Sequence, residues 1–215
     1  MFEKLSRREV WRYLGYKGSE PDETVCQLVE ETIEMVENAA VPRQVSRRVT
    51  CKIQPDNRLF LGSLEVTSQS LAKHLRDCNE VILFAATLGS GIDRLLQRYN
   101  RLQVSRAAVL QAVSAAAVEE WCDQCQKQLG DGLEEGLYLR PRFSPGYGDL
   151  PLAFQRPLLE SLEAGKRIGI ELTDTLLMTP TKSVSAIIGI TSDKKSCTVH
   201  HCAACAKTDC PFRKV

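Results

Sequence analysis

The chain has 215 residues, enough for one sizeable hydrophobic core, and 43% of them are hydrophobic, an ordinary share for a globular protein. Its 28 lysines and arginines against 27 aspartates and glutamates leave a formal charge of +1, which gives no bulk attraction to nucleic acid. No apolar run approaches membrane-spanning length, and the charged opening MFEKLSRRE has no signal pattern, so the expectation is a cytoplasmic protein without a membrane partner.

Ser6-x-x-Glu9 is a capping box, in which the two side chains satisfy open N–H groups at a helix start. Val10 and Leu14 begin the apolar face, and Gly15 fits the stop. A second helix starts near Pro21, with Val25, Val29, Ile33 and Val36 as its stripe, and ends at Pro42. Val45 to Ile53 alternates as a half-buried strand, with Val49, Cys51 and Ile53 on one face and Arg48, Thr50 and Lys52 on the other. Pro55-Asp56-Asn57 turns the chain into a second strand, Leu59 to Val66, bent at Gly62. Ser68 or Ser70 caps a short helix carrying Leu71, Leu75 and Cys78, on which His74 reads as a core-edge or capping histidine.

Val81–Ala86 is a continuous apolar run suited to a buried strand. Gly89-Ser90-Gly91 then reads as a tight turn into a helix through Leu95 and Tyr99; two glycines alone are weak grounds for a phosphate cradle. Val104 to Leu129 is the longest helix, with the stripe Leu110, Val113, Ala117, Trp121 and Cys125, and Glu119 points away from that stripe. Cys122-x-x-Cys125 lies within this helix rather than at its start, so it reads as packing and not as a redox dithiol. Gly130-Asp131-Gly132 ends the helix.

The run RPRFSPGYGDLP follows, too rich in proline and glycine for a helix or central strand. Arg142 offers a planar fork of donors for a carboxylate or phosphate. Gly146 allows close backbone approach, and Tyr147 offers a flat face that attracts cations. A ligand with a carboxylate, a cation and a planar ring, such as S-adenosylmethionine, suits all three. From composition alone, a structural turn with a surface arginine is the plainer reading. Beyond it, Pro151 opens a helix bearing Leu152, Gln155, Leu158, Leu159 and Leu162, and Gly165 stops it. Ile168, Ile170 and Leu172 alternate as a strand, and Val184–Ile190 forms another.

Arg142-x-x-x-Gly146-Tyr147, followed by Pro151, resembles the R-x-x-x-G-Y signature of the reactivation (activation) domain of cobalamin-dependent methionine synthase. Residues 172–185, LTDTLLMTPTKSVS, resemble that family's LTES-x-x-M-x-P-x-x-SVSG segment, in the same order and spacing. The close match covers roughly residues 138–190, and the opening RREVWRYLGYKGSEPDE resembles the start of stand-alone, single-domain members. The resemblance implies that Arg142 binds the methionine carboxylate of S-adenosylmethionine, that the backbone at Ser144 and Gly146 contacts the ligand, and that Tyr147 lines the site next to the corrin. It also implies a helical glutamate for the ligand's ammonium; Glu119 is the candidate, to within one residue of register.

The last twenty residues change character, with Cys197, Cys202, Cys205 and Cys210 spaced C-x4-C-x2-C-x4-C. Nine cysteines in a reducing compartment point to thiols or ligands rather than disulfides, and this spacing suits zinc or an iron–sulfur cluster, with His200 or His201 able to replace one thiolate. The resembled domain has no such tail, and it places a tyrosine pair about where Ser196 and Cys197 fall, which puts one ligand contact in question.

The element order implies an α+β domain with a mostly antiparallel sheet; the resemblance adds that the sheet is curved, with helices packed around it. Residues 1–191 form the activation-like domain and 192–215 a Cys-rich tail. The expected function is reactivation of a corrinoid enzyme by reductive methylation of cob(II)alamin, a methyl-transfer role in methionine biosynthesis. The cobalamin is carried by a partner, a methionine synthase or related corrinoid protein, because 215 residues show no cobalamin-binding module. A separate low-potential electron donor is also implied, unless the tail serves. The alternative is a zinc or iron–sulfur interaction module that docks on a corrinoid protein without catalysing methyl transfer. An ordinary small-molecule methyltransferase is disfavoured by the lack of a strand–G-x-G-x-x-G–helix unit near the start.

Overall fold

The computed structural model describes residues 5–16 and 21–193, which build seven α-helices, a six-stranded sheet and a separate two-stranded one. Helix α1 (Arg7–Tyr13) starts at Ser6, whose hydroxyl accepts from the Glu9 amide. Helix α2 (Glu23–Ala39) starts after Asp22, which caps the Val25 amide, and buries Val29, Ile33 and Val36 of the expected stripe. Strand β1 (Arg43–Ile53) follows Pro42 directly.

The single strand expected over Leu59–Val66 is instead two, β2 (Arg58–Leu61) and β3 (Leu64–Thr67). Gly62 turns the chain at φ +61°, the conformation that favours glycine, and a Cβ there would press on Val49 Cβ at 3.2 Å. Of the two serines, Ser68 caps α3 (Gln69–His74), accepting from the Leu71 amide. Strand β4 (Glu80–Thr87) leads through Gly89 into α4 (Ser90–Leu102), and α5 (Val104–Asp131) follows. A Cβ on Gly91 would collide with the Ala39 carbonyl, so this glycine lets α4 press on the end of α2.

After α5 come β5 (Tyr138–Leu139), a 3-10 turn at Leu152–Phe154, and α6 (Gln155–Ser161). The expected stop at Gly165 and strand from Ile168 both need correction. The break falls earlier, at Glu163 with φ +53°, and Gly165 and Ile168 belong to α7 (Ala164–Ile168). Gly169, at φ +74°, closes α7, leaving only Glu171–Leu172 as strand β6, paired with β7 (Met178–Thr179). Strand β8 (Ser183–Thr191) completes the large sheet.

The large sheet runs in the order β3-β2-β1-β4-β8-β5, antiparallel at every pairing. Its central strands are covered on both faces, which is why β4 reads as a continuous apolar run rather than an alternating one and β8 is buried almost throughout. Ile82, Phe84, Ala86, Ala186, Ile188 and Ile190 pack under α1, α2, α4 and α5. Val81, Leu83, Ala85 and Ile187 pack on the other side against α3, α6 and α7. The α+β class with an antiparallel sheet and surrounding helices is therefore the observed one.

The LTDTLLMTPTKSVS segment forms the β6–β7 hairpin and the first part of β8. Its buried serines are satisfied: Ser183 donates to the Pro180 carbonyl at 2.7 Å, and Ser185 donates to Gln155 Oε1 at 3.3 Å.

Candidate functional site

From Tyr138 to Phe143 the chain runs along β8. Leu139 lies opposite Ile190, the Arg140 amide donates to the Gly189 carbonyl at 2.8 Å, and Phe143 and Ile187 exchange backbone bonds of 2.9 and 2.8 Å. Extended chain sends successive side chains to opposite faces. Phe143 is buried on the α3/α6 face, while Arg142 reaches over to α5.

There Arg142 Nη2 donates to Asp123 Oδ1 at 2.7 Å and to Glu119 Oε2 at 3.0 Å, and Nη1 donates to Gln126 Oε1 at 3.1 Å. Residues 119, 123 and 126 step by four and three, so one face of α5 presents all three. The Arg142 side chain is only 16% exposed, against 46% for Glu119 and 68% for Asp123. Burial works against its charge, but the carboxylates of Asp123 and Glu119 beside it outweigh burial and hold its pKa above the ordinary arginine value. Glu120, the neighbouring register, instead accepts from Gln124. Burial raises the Cys122 thiol pKa, and Cys125 is pushed up to about 11. Both are buried, protonated packing groups.

The rest of the loop folds on itself. The Ser144 carbonyl accepts from the Tyr147 amide at 3.0 Å, and the Gly146 amide donates to the Leu150 carbonyl at 2.9 Å. Gly146 sits at φ +89°, the region that favours glycine. Tyr147 is 57% exposed and meets the Phe143 ring edge-on, with centroids 6.0 Å apart. Phe143 in turn lies 5.0 Å from the His74 ring, whose Nε2 is 2.9 Å from the Pro141 carbonyl oxygen. His74 thus supports the loop from the core edge. Asp149, at the loop's far end, accepts from Ser68, Gln69 and Ser70 at the start of α3.

The structure thus brings Glu119 and Arg142 into direct contact and keeps Ser144, Gly146 and Tyr147 on the same loop, beyond Phe143. None of the five lines the cleft of about 330 Å³ beside α6, α7 and β6, or the one of about 140 Å³ near Asn79 and Thr191. Sequence reading missed Asp123, Gln126 and Asp149. The spacing of Asp123 and Gln126 from Glu119 was the signal for the first two. Cys197, Cys202, Cys205 and Cys210 lie outside the described residues, and among the described residues no group of three or more His, Cys, Asp or Glu is placed to hold a metal.

No curated protein matches the chain. Among solved structures, it is similar to one described as the crystal structure of the MetH reactivation domain bound to AdoHcy. The two share 17% identity over 86% of this chain and 75% of that one, with a TM-score of 0.66, a likeness of fold. The family model for the activation domain of vitamin B12-dependent methionine synthase matches residues 66–210, a span that holds α5, the Arg142–Tyr147 loop and β8. The chain therefore belongs to the family of vitamin B12-dependent methionine synthase activation domains.

Proposed function

We propose that this protein binds S-adenosylmethionine and supports reductive methylation of cob(II)alamin held by a separate corrinoid protein, a methionine synthase or a relative of one. The observation that carries this reading is the Arg142–Glu119 contact at 3.0 Å, made between a loop and a helix. An amino-acid end carries the same two charges with their roles exchanged. Its carboxylate suits the guanidinium and its ammonium suits Glu119, so the residues present fit this end of the ligand.

When bound, S-adenosylmethionine would supply an electrophilic methyl group to the partner's corrinoid, with an electron from a low-potential donor. The chain's own task is to hold and orient. Arg142 and Glu119 fix the amino-acid end, the backbone near Ser144 and Gly146 flanks the ligand, and Tyr147 presents its exposed ring towards the corrin. Proximity of this kind accounts for a large part of such a barrier, and no general acid or base is needed. The MetH domain's complex with AdoHcy supports the reading.

For the tail, the C-x4-C-x2-C-x4-C spacing favours a metal site at Cys197, Cys202, Cys205 and Cys210, either as an electron relay or as a zinc knuckle for docking. Absorbance near 400 nm separates the iron–sulfur from the zinc version. Titration calorimetry with S-adenosylmethionine tests the main reading: binding weakened in Arg142→Ala and Glu119→Ala supports it, and absence of binding to the intact protein removes it.

A further inference from the structure

Arg142 is already engaged on the side a ligand carboxylate needs. A carboxylate grips a guanidinium through two parallel N–H bonds, along either the Nη1–Nη2 edge or the Nε–Nη2 edge. Nη2 belongs to both edges. It already donates to two acids, Glu119 at 3.0 Å and Asp123 at 2.7 Å. A two-bonded carboxylate on either edge of Arg142 must therefore compete with these acids for Nη2.

The two acids are not equivalent. Under the proposed function, on which this argument rests, Glu119 keeps a task when ligand arrives, because it pairs with the ammonium. Asp123 has no such task. It makes the shorter bond, 2.7 against 3.0 Å, and is the more exposed of the two, 68% against 46%, so it can swing into water at little cost.

We propose that Asp123 occupies, in the empty protein, the place that the ligand's carboxylate takes on Arg142. It acts as an internal competitor. It keeps the guanidinium extended and paired, lowers affinity for carboxylate-bearing ligands, and is displaced only by a ligand able to replace it on the fork.

The test compares S-adenosylmethionine with its decarboxylated form, which retains the sulfonium, the ammonium and the nucleoside. Both are titrated calorimetrically into the full chain as wild type, Asp123→Ala, Asp123→Asn and Arg142→Ala. Asp123 is a surface side chain, so its variants fold. Both Asp123 variants should bind S-adenosylmethionine about three- to tenfold more tightly, the scale of releasing one partly exposed ion pair, and should not tighten the decarboxylated ligand. Unchanged or weaker S-adenosylmethionine binding, or equal tightening of both ligands, overturns the proposal. If Arg142→Ala loses affinity while the Asp123 variants do not gain it, only this inference falls. If Arg142→Ala binds like wild type, or the wild type binds neither ligand, the functional reading falls with it.

Discussion

Asp149 closes the signature loop onto Ser68, whose hydroxyl donates to Oδ1 at 2.6 Å while the Gln69 and Ser70 amides donate at 2.7 and 2.9 Å. The loop is thus fixed at both ends, to β8 at Phe143 and to the start of α3 at Asp149. The Ser68 hydroxyl, with the Ser70 and Gln69 amides, holds the Asp149 pKa well below the usual carboxylate range. A depressed carboxylate contributes stability above its unfolded pKa, near 3.9, and loses it as pH falls through the folded value. Asp149→Asn should therefore melt below wild type at pH 7, and the gap should narrow progressively below about pH 4. Thermal scans of both proteins from pH 7 to pH 2 check this; a gap independent of pH would mean that the charge contributes nothing.

Arg142→Ala should weaken S-adenosylmethionine binding by about 1.5–3 kcal/mol, the scale of a hydrogen bond to a charged group. Arg142→Lys should weaken it too, because a point charge cannot reproduce the fork. Calorimetry reads both; unchanged affinity in both would take Arg142 out of the site.

At Gly146 the left-handed backbone forbids a clean separation of binding from stability. Gly146→Val should cost about 1–3 kcal/mol of folding stability through strain alone, besides impairing binding. Tyr147→Ala should leave the melting temperature nearly unchanged, since its side chain is largely exposed, yet reduce methylation of a corrinoid partner. Melting curves with a partner-methylation assay distinguish the two; a large stability loss for Tyr147→Ala would make that ring a structural element.

The tail is expected to be separable from the ligand loop. Strand β8 ends at Thr191, so a chain truncated there should keep S-adenosylmethionine binding within about tenfold, or 1.4 kcal/mol. It should also contain less zinc or iron than the full chain by elemental analysis. Equal metal content in both would remove Cys197, Cys202, Cys205 and Cys210 as ligands.

Where one physical cause governs a stretch, its structure was readable from sequence. Alternation set β1, and the long apolar stripe set α5. The failures came where two causes give one pattern. Ile168, Ile170 and Leu172 alternate as a strand would, yet Ile168 closes a helix and Gly169 turns out of it, because apolar residues on either side of a helix end also fall two apart. Gly62 was read as a bend because hydropathy cannot report a positive φ. In the candidate site, Arg142 came from the loop's composition and the R-x-x-x-G-Y pattern, and Glu119 from the helical glutamate that the resemblance implies. Asp123 stayed hidden because an exposed acid on a helix looks like any solvated carboxylate until its partner, 19 positions away in sequence, is placed beside it.

The short run from Tyr138 to Phe143 has one more consequence. It is the outermost cover of β8, pairing at Thr191, Ile190, Gly189 and Ile187, and β8 is an almost wholly buried strand with the apolar run Ala186–Ile188 at its centre. An uncovered strand of that kind is a template for pairing with another chain. A substitution that loosens this run would expose such an edge, and its first symptom would be concentration-dependent aggregation. The stretch that carries Arg142 therefore also guards the molecule against its own copies, so solubility and, under the proposed function, ligand binding place demands on the same few residues.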